Sequence, residues 1–138
     1  MDHDLFGKVM ELVVTDPYFE DSTNWATRNA IYYAVKHNKC LGYEVDGKFV
    51  GFCTYGFFTE EEIASDVWDG DEVYSRDSGE VLFFPKFGCR AGRRDVIRFI
   101  RGIQSFFWDR YPEVKTARGL RLYPDGSQRD ELWHRKVA

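Results

Sequence analysis

The chain has 138 residues, of which 43% are hydrophobic and 17% aromatic, and its formal net charge is −4. This length and composition predict a single domain over residues 1–138 and exclude an intrinsically disordered chain. No apolar run approaches the roughly 18 residues of a transmembrane helix, and the acidic start does not resemble a signal peptide. Three cysteines without CxxC spacing indicate reduced thiols, so we expect a cytoplasmic protein.

The first part of the chain predicts two helices. Apolar residues recur at helical spacing near the start and indicate a short first helix, which Asp16-Pro17 ends. A second helix is predicted to run through Ile31 to about Asn38. Its candidate N-caps are Asp21, Ser22 and Thr23.

A β-hairpin and an acidic helix follow. Cys40 to Val45 and Phe49 to Phe57 have strand character, and the Asp46-Gly47 pair between them is typical of a tight hairpin turn. Thr59 is then the predicted cap of a third helix that begins with three glutamates and ends near Trp68 or Asp69. We expect the stretch from Asp69 to Gly79 to be a solvated loop, because its carboxylates lack the spacing of a calcium-binding loop.

The next stretch predicts a buried strand and a long amphipathic helix. The strand from Val81 to Phe87 is almost wholly apolar, as expected when both faces of a sheet are covered. Pro85 has no N–H for the ladder and predicts a bulge or splayed pairing. The following helix has one apolar stripe and a separate face of arginines. The stripe contains Val96, Phe99, Ile100, Ile103, Phe106 and Phe107.

The C-terminal part predicts one more strand and a last short helix. Tyr111-Pro112 ends the long helix, and Val114 to Tyr123 has strand character. Pro124-Asp125-Gly126 indicates a turn, after which Ser127 is the expected cap of a helix through Trp133. The predicted order is therefore α-α-β-β-α-β-α-β-α, an α/β (α+β) domain with a central mixed sheet flanked by helices.

A basic, glycine-containing turn between the buried strand and the long helix is the most function-like cluster. Backbone N–H groups and the positive end of a helix dipole meet at such a turn, and together they favour anions. The alternative is a tight turn whose arginines are only solvated. The candidate cofactor-binding residues are Gly88, Arg90, Gly92, Arg93 and Arg94.

The charge distribution also points to the C-terminal half. Residues 81–138 contain thirteen Lys or Arg and six Asp or Glu, whereas residues 1–80 contain six and seventeen. This asymmetry favours an anionic ligand or partner near the C-terminal half, although the two halves could also neutralise each other. The three histidines, His3, His37 and His134, lack the spacing of a zinc site, so no metal is predicted.

Two ordered sequence blocks carry a family resemblance. The stretch from Val50 to Thr59 resembles the "V-[AG]-Y-C-S-W-A-x-L-S" strand of the RTX toxin-activating lysine acyltransferases. Ser78-Gly79-Glu80 before Phe83-Phe84 is similar to their "S-G-D-R-x-W-F" stretch, and Gly88 matches the turn after it. The resemblance covers most of residues 5–112. It implies a single GNAT-like domain that takes an acyl group from an acyl carrier protein, or from acyl-CoA as in other GNAT enzymes.

The family's catalytic residues do not carry over to this chain. The resembling enzymes use a histidine just after the first helix and an aspartate in the central strand. In this chain the position of the histidine falls on Phe19, or on Ser22 in a second register, and that of the aspartate falls on Lys86 or Pro85. None of these side chains can take a proton from an attacking amine or orient an imidazole as a carboxylate does. The catalytic residues are therefore unknown.

Other residues could supply the missing chemistry. Candidate bases are Glu44, Tyr55 and Glu80, and Cys53 and Cys89 are candidate nucleophiles only in a thiolate-stabilising environment. We expect Cys53 to be a small buried hydrophobe.

Two readings of the function follow from these observations. The first is a catalytically degenerate module that binds a protein partner or another copy of itself. GNAT-like domains without enzyme activity are found among the virion components of short-tailed phages, which makes such a role the expectation by analogy. The module would then act in the host cytoplasm or the virion. The second is an active acyl- or acetyltransferase with a relocated base. Nucleic-acid binding through the C-terminal arginines is disfavoured, because the sequence pI is about 5.4.

Overall fold

The computed structural model describes residues 1–15, 25–65, 68–122 and 128–135 of the chain. Five helices and five strands follow one another in these residues. In chain order they are α1 (His3–Thr15), α2 (Trp25–Lys36), β1 (Cys40–Val45), β2 (Lys48–Phe58), α3 (Glu60–Ala64), α4 (Asp71–Ser75), β3 (Val81–Cys89), α5 (Arg93–Arg110), β4 (Thr116–Leu122) and β5 (Gln128–His134). The predicted caps of α2, the Asp16-Pro17 break and the Pro124-Asp125-Gly126 turn lie outside the described residues.

The strands form one mixed sheet in the order β1-β2-β3-β4-β5. All neighbours are antiparallel except β3 and β4, which are parallel because α5 connects them as a crossover. Helices pack on both faces of the sheet. The predicted α/β architecture, a central mixed sheet flanked by helices, is therefore confirmed. No helix in the described part of the chain is both long and apolar enough to span a bilayer.

The predicted hairpin is confirmed at its turn. Asp46 has φ 52° and Gly47 has φ 80°, so both central residues adopt the left-handed conformation. A two-residue turn with this backbone matches the twist of the flanking strands, and aspartate and glycine tolerate it best. The turn places Lys48 at the start of β2, close to the C-terminal half of α1.

The prediction for Pro85 is also confirmed. Thr54 of β2 faces Lys86 of β3, and Gly56 of β2 faces Phe83 of β3. One residue of β2 therefore lies opposite two residues of β3, one of which is Pro85, so β3 bulges there. The parallel pairs of β3 with β4 run from Leu82 to Phe84, whereas β3 continues beside β2 as far as Cys89. Because proline cannot donate to a ladder, it marks the point where the pairing pattern of β3 changes.

Two cores lie on opposite faces of the sheet. The first core is formed with α1, α2 and α4 and contains Val9, Val13, Ile31, Ala34, Phe52, Phe58, Tyr74 and Phe83. The second core is formed with α5 and contains Cys53, Tyr55, Phe57, Leu82, Phe84, Phe99, Ile103, Phe107, Tyr111 and Ala117. The buried side of α5 uses Phe99, Ile103 and Phe107 from the predicted stripe, and Arg94, Arg98 and Arg101 are exposed as expected.

Three predictions about local structure are wrong. The stretch after Ser127 is strand β5 rather than a helix, because β4 offers it a hydrogen-bonding edge and Trp133 stacks on Phe84 at 4.5 Å between ring centroids. The third helix has the predicted capping box at Thr59, but it ends at Ala64. The acidic stretch that follows is not all loop, because it contains α4, whose Tyr74 is fully buried.

Candidate functional site

The basic turn lies between β3 and α5, as the sequence predicted. Gly88 is buried in β3 opposite Phe52, Cys89 ends the strand, and Gly92 is the N-cap of α5. No side chain forms a capping hydrogen bond at this helix start. A Cβ atom on Gly92 would meet nothing within 4 Å, so the start of α5 is sterically open. The N–H groups of Arg93 and Arg94 are thus the ones that an anion could reach, because the N–H of Asp95 already donates to the oxygen of Gly92 at 3.0 Å.

The three arginines of the turn differ in their surroundings. The Arg90 side chain donates from Nη1 to the backbone oxygen of Thr15 at 3.0 Å. The backbone N–H of Arg90 donates to the backbone oxygen of Val50 at 2.7 Å. Arg90 thereby connects the turn to the C-terminal end of α1, where a cation complements the negative end of the helix dipole. Arg93 and Arg94 are exposed on the first turn of α5 beside the acidic Asp95.

A groove of about 730 Å³ adjoins this turn on the side of Arg90. One wall is a single face of α1, because positions 8, 11, 12 and 15 recur at helical spacing. The opposite wall is the hairpin turn and the first residues of β2. The lining residues are Lys8, Glu11, Leu12, Thr15, Gly47, Lys48, Phe49, Val50 and Arg90. We call this feature the α1 groove.

More cations than carboxylates line the α1 groove. Lys8, Lys48 and Arg90 contribute three cations, and Glu11 contributes one carboxylate. Lys8 also forms ion pairs with two carboxylates that do not line the groove. Its Nζ lies 3.2 Å from Asp4 Oδ2 and 3.2 Å from Glu44 Oε1. Hydrogen bonds to Glu44 and Asp4 raise the pKa of Lys8, so its ammonium is fully charged at neutral pH. Arg90 belongs to the basic turn itself, and its backbone N–H donates to the oxygen of Val50, two residues after Lys48.

None of the three predicted candidate bases lines the α1 groove. Glu44 pairs with Lys8 on the outer side of β1, and Glu80 is exposed before β3. Tyr55 is 1% exposed, and its hydroxyl donates to the backbone oxygen of Asn38 at 3.1 Å. Burial raises the pKa of Tyr55 well above its ordinary value, so the phenol stays protonated and does not act as a base.

The two predicted nucleophiles lie in different environments. Cys53 is fully buried, and burial raises the pKa of its thiol well above the usual range, which agrees with its expected role as a small hydrophobe. Cys89 is half-buried at the end of β3, against Gly51. Burial likewise raises the pKa of Cys40 to about 12. In the described part of the chain, no group of three or more His, Cys, Asp or Glu could hold a metal ion.

Of the positions that match the catalytic pair of the resembling acyltransferases, Pro85 and Lys86 lie in the described part of the chain. Phe19 and Ser22 lie outside the described residues. Pro85 is buried at the bulge, and Lys86 places its Nζ 5.7 Å from the ring centroid of Trp68 on the face of the first core. His37 lies after α2, where its Nε2 is 2.7 Å from Asp71 Oδ1. The described histidines therefore lie on elements other than the basic turn.

Sequence reasoning missed the part of the site that comes from α1 and the hairpin turn. Lys8, Glu11 and Thr15 were only part of an amphipathic helix, and Lys48 was a residue after a turn. The available signal was the i, i+3, i+7 spacing of these polar residues, which places them on one helix face. A buried lysine was missed as well. Lys39 is 5% exposed and lies 3.8 Å from Asp77, and burial lowers its pKa.

Comparison of the chain with models of known protein families gives no match, and comparison with curated proteins gives none either.

Proposed function

We propose that this chain is a catalytically degenerate, GNAT-like acyltransferase scaffold that acts as a binding or structural module, and that it serves as a component of a phage virion. The scaffold is supported by the order of its elements: a hairpin, a central strand that delivers a basic turn to a long helix, and a parallel strand after that helix. The change of pairing at Pro85 lies where acyl-transfer domains of this type open their sheet.

The loss of catalysis is carried by one observation. Three of the five candidate bases and nucleophiles from the sequence are committed to other roles: Glu44 to an ion pair, Tyr55 to a hydrogen bond and Cys53 to the core. A fourth, Glu80, is exposed before β3 and does not line the groove. General base catalysis requires a group within hydrogen-bond reach of the proton that it removes. What the basic turn retains is its cations and its open helix start, which suit binding rather than proton transfer.

The binding surface in this proposal is the α1 groove together with the basic turn. Lys48 and Arg90 supply charge-assisted hydrogen bonds to an anion, and Leu12, Phe49 and Val50 supply apolar contact. A ligand group that bears phosphate or carboxylate oxygens fits this combination. In an assembly, that group would belong to the partner molecule that the module holds.

The Lys48→Ala/Arg90→Ala double variant should weaken the binding of inorganic pyrophosphate by about tenfold or more, because two charge-assisted contacts are lost. Isothermal titration calorimetry at low salt measures this affinity. Arg101→Ala is the matched control, because it removes an exposed arginine of α5 that does not line the groove. If the double variant bound pyrophosphate as tightly as the unchanged protein, the groove would not be the binding surface.

The assembly role has its own test. Purification of the chain from its native source should recover it at a fixed ratio to a partner or within particles. Recovery as a ligand-free monomer would contradict the structural role, even if the groove binds anions.

The second candidate function is an active acyl- or acetyltransferase with a relocated base, with acyl-CoA or acyl carrier protein as the donor. It is favoured by Glu11, whose carboxylate lines the groove that Arg90 also lines. In that case, incubation with acetyl-CoA and a lysine-containing peptide would release free thiol, and Glu11→Gln would abolish the release. Our proposal expects no thiol release above that of buffer.

A further inference from the structure

Among the residues that the structure describes, β5 is the last strand of the sheet. One hydrogen bond fixes the direction of its backbone groups. The N–H of Arg135 donates to the oxygen of Lys115 at 2.7 Å, on the side of β4. Backbone groups alternate between the two sides of a strand, and β4 and β5 are in continuous antiparallel register from Thr116–His134 to Leu122–Gln128. Glu131 and Trp133 therefore also direct their N–H and C=O groups toward β4.

The even-numbered residues of β5 direct their backbone groups the other way. Asp130, Leu132 and His134 present their N–H and C=O groups along the outer edge of the sheet, which is the side a further strand would occupy. Their side chains share one face of the sheet because they are two residues apart. All three side chains are exposed, and Leu132 is among the most exposed large hydrophobic residues of the described chain at 54%.

We propose that β5 pairs antiparallel with β5 of a second copy of this chain about a two-fold axis at Leu132, so that the sheets of two copies become continuous. A two-fold axis normal to a sheet leaves each face of the two sheets on the same side of the joint sheet. It therefore pairs even-numbered residues with even-numbered ones and odd-numbered residues with odd-numbered ones. In this register, Leu132 faces Leu132 of the second copy and Asp130 faces His134 of the second copy. All of these residues have outward backbone groups, and each facing pair exchanges two hydrogen bonds.

Charge complementarity favours this register over those centred on Glu131 and Asp130. Strand length favours it over the register centred on Trp133, which leaves two facing pairs with outward backbone groups inside β5 instead of three. An axis at Glu131 would place two glutamates opposite each other, and an axis at Asp130 would place two aspartates opposite each other. Like charges directly opposite on adjacent strands are destabilising, whereas opposite charges and apolar pairs are favourable. The register centred on Leu132 combines an apolar pair at the axis with an acid–imidazole pair on each side.

The proposal is separate from the α1 groove, which lies at the β1–β2 end of the sheet. The dimer proposal and the groove proposal can therefore fail independently, because they involve different residues and are tested by different measurements.

The test is the solution mass of the full chain at micromolar concentration, measured by sedimentation equilibrium. We expect twice the mass of one chain. Leu132→Pro removes an N–H that the β4–β5 ladder does not use, and edge strands tolerate proline at such a position. This variant should raise the dissociation constant of the dimer by about tenfold or more. Leu132→Thr is the matched control, because it keeps the N–H and should remain dimeric.

Circular dichroism of each variant verifies that the monomer is folded. If Leu132→Pro fails to fold, Leu132→Lys decides instead, because it places two ammonium groups opposite each other and should also give monomers. A monomeric unchanged protein would overturn the proposal. A folded Leu132→Pro or Leu132→Lys protein that dimerises as tightly as the unchanged chain would overturn it as well.

Discussion

Replacing Phe107 with alanine should lower the free energy of unfolding by about 3–5 kcal/mol, the usual cost of deleting a fully buried aromatic ring. Phe107 is 0% exposed and lies at the centre of the second core. Its ring centroid is 5.1 Å from that of Tyr55 and 6.3 Å from those of Phe84 and Trp133. These neighbours come from β2, β3 and β5, so the cavity would loosen α5 against three strands.

Urea unfolding followed by tryptophan fluorescence measures this loss. The neighbouring Phe106 supplies the matched control, because it lies on the same helix and contacts Tyr55 but is only partly buried. Phe106→Ala should cost clearly less than Phe107→Ala. Equal costs for the two variants would contradict the placement of Phe107 at the centre of this core.

Replacing Glu62 with glutamine should lower the free energy of unfolding at pH 7 by about 2 kcal/mol, in the range of a charge-assisted hydrogen bond. The Glu62 carboxylate accepts from both Nη atoms of Arg76, at 2.6 and 2.9 Å, and from the N–H of Thr59 at 2.8 Å. Arg76 also donates to the backbone oxygen of Phe57 at 3.1 Å. Because both side chains are at most 25% exposed, solvent screens this pair only in part.

The same contact predicts a pH dependence. The hydrogen bond to Arg76 is the main cause that lowers the pKa of Glu62 from 4.5 to about 2. A lowered folded-state pKa means that ionised Glu62 stabilises the fold above its unfolded pKa, and that this stabilisation is lost as the pH falls toward the folded pKa. The stability difference between the unchanged protein and Glu62→Gln should therefore shrink between pH 4.5 and 2.

Urea midpoints measured at several pH values give this difference. Glu72→Gln is the control, because Glu72 also pairs with Arg76, at 3.2 Å, but is 83% exposed. Exposed pairs contribute little, so this variant should stay close to the unchanged protein at every pH. A difference for Glu62→Gln that persists unchanged down to pH 2 would show that the charge of Glu62 is not what stabilises this region.

The elements with strong local signals could be predicted from the sequence. The Asp46-Gly47 pair specifies the hairpin because both residues tolerate the left-handed backbone conformation. The helical periodicity of the apolar stripe specifies α5, and the missing N–H of Pro85 specifies the bulge in β3. Strand β5 could not be predicted in this way, because its conformation depends on the edge of β4. The local polar sequence around Ser127 favours a helix start, and the tertiary pairing overrides it.

The candidate site shows the same division. The basic turn was recognisable because its residues are contiguous, and the structure places them between β3 and α5 as expected. The α1 groove was not, because its walls come from α1, the hairpin turn and Arg90, which are distant in sequence. Only folding brings Thr15 and Arg90 together, and no local pattern records that contact.

The short parallel seam between β3 and β4 has a mechanical consequence. Three residue pairs, from Leu82–Ala117 to Phe84–Gly119, join the β1–β2–β3 ladder to the β4–β5 ladder, and both ladders are longer than the seam. Because fewer residue pairs join the two ladders than hold either ladder together, side-chain packing across the seam, such as the stacking of Trp133 on Phe84 at 4.5 Å, carries more of the cohesion of the sheet there.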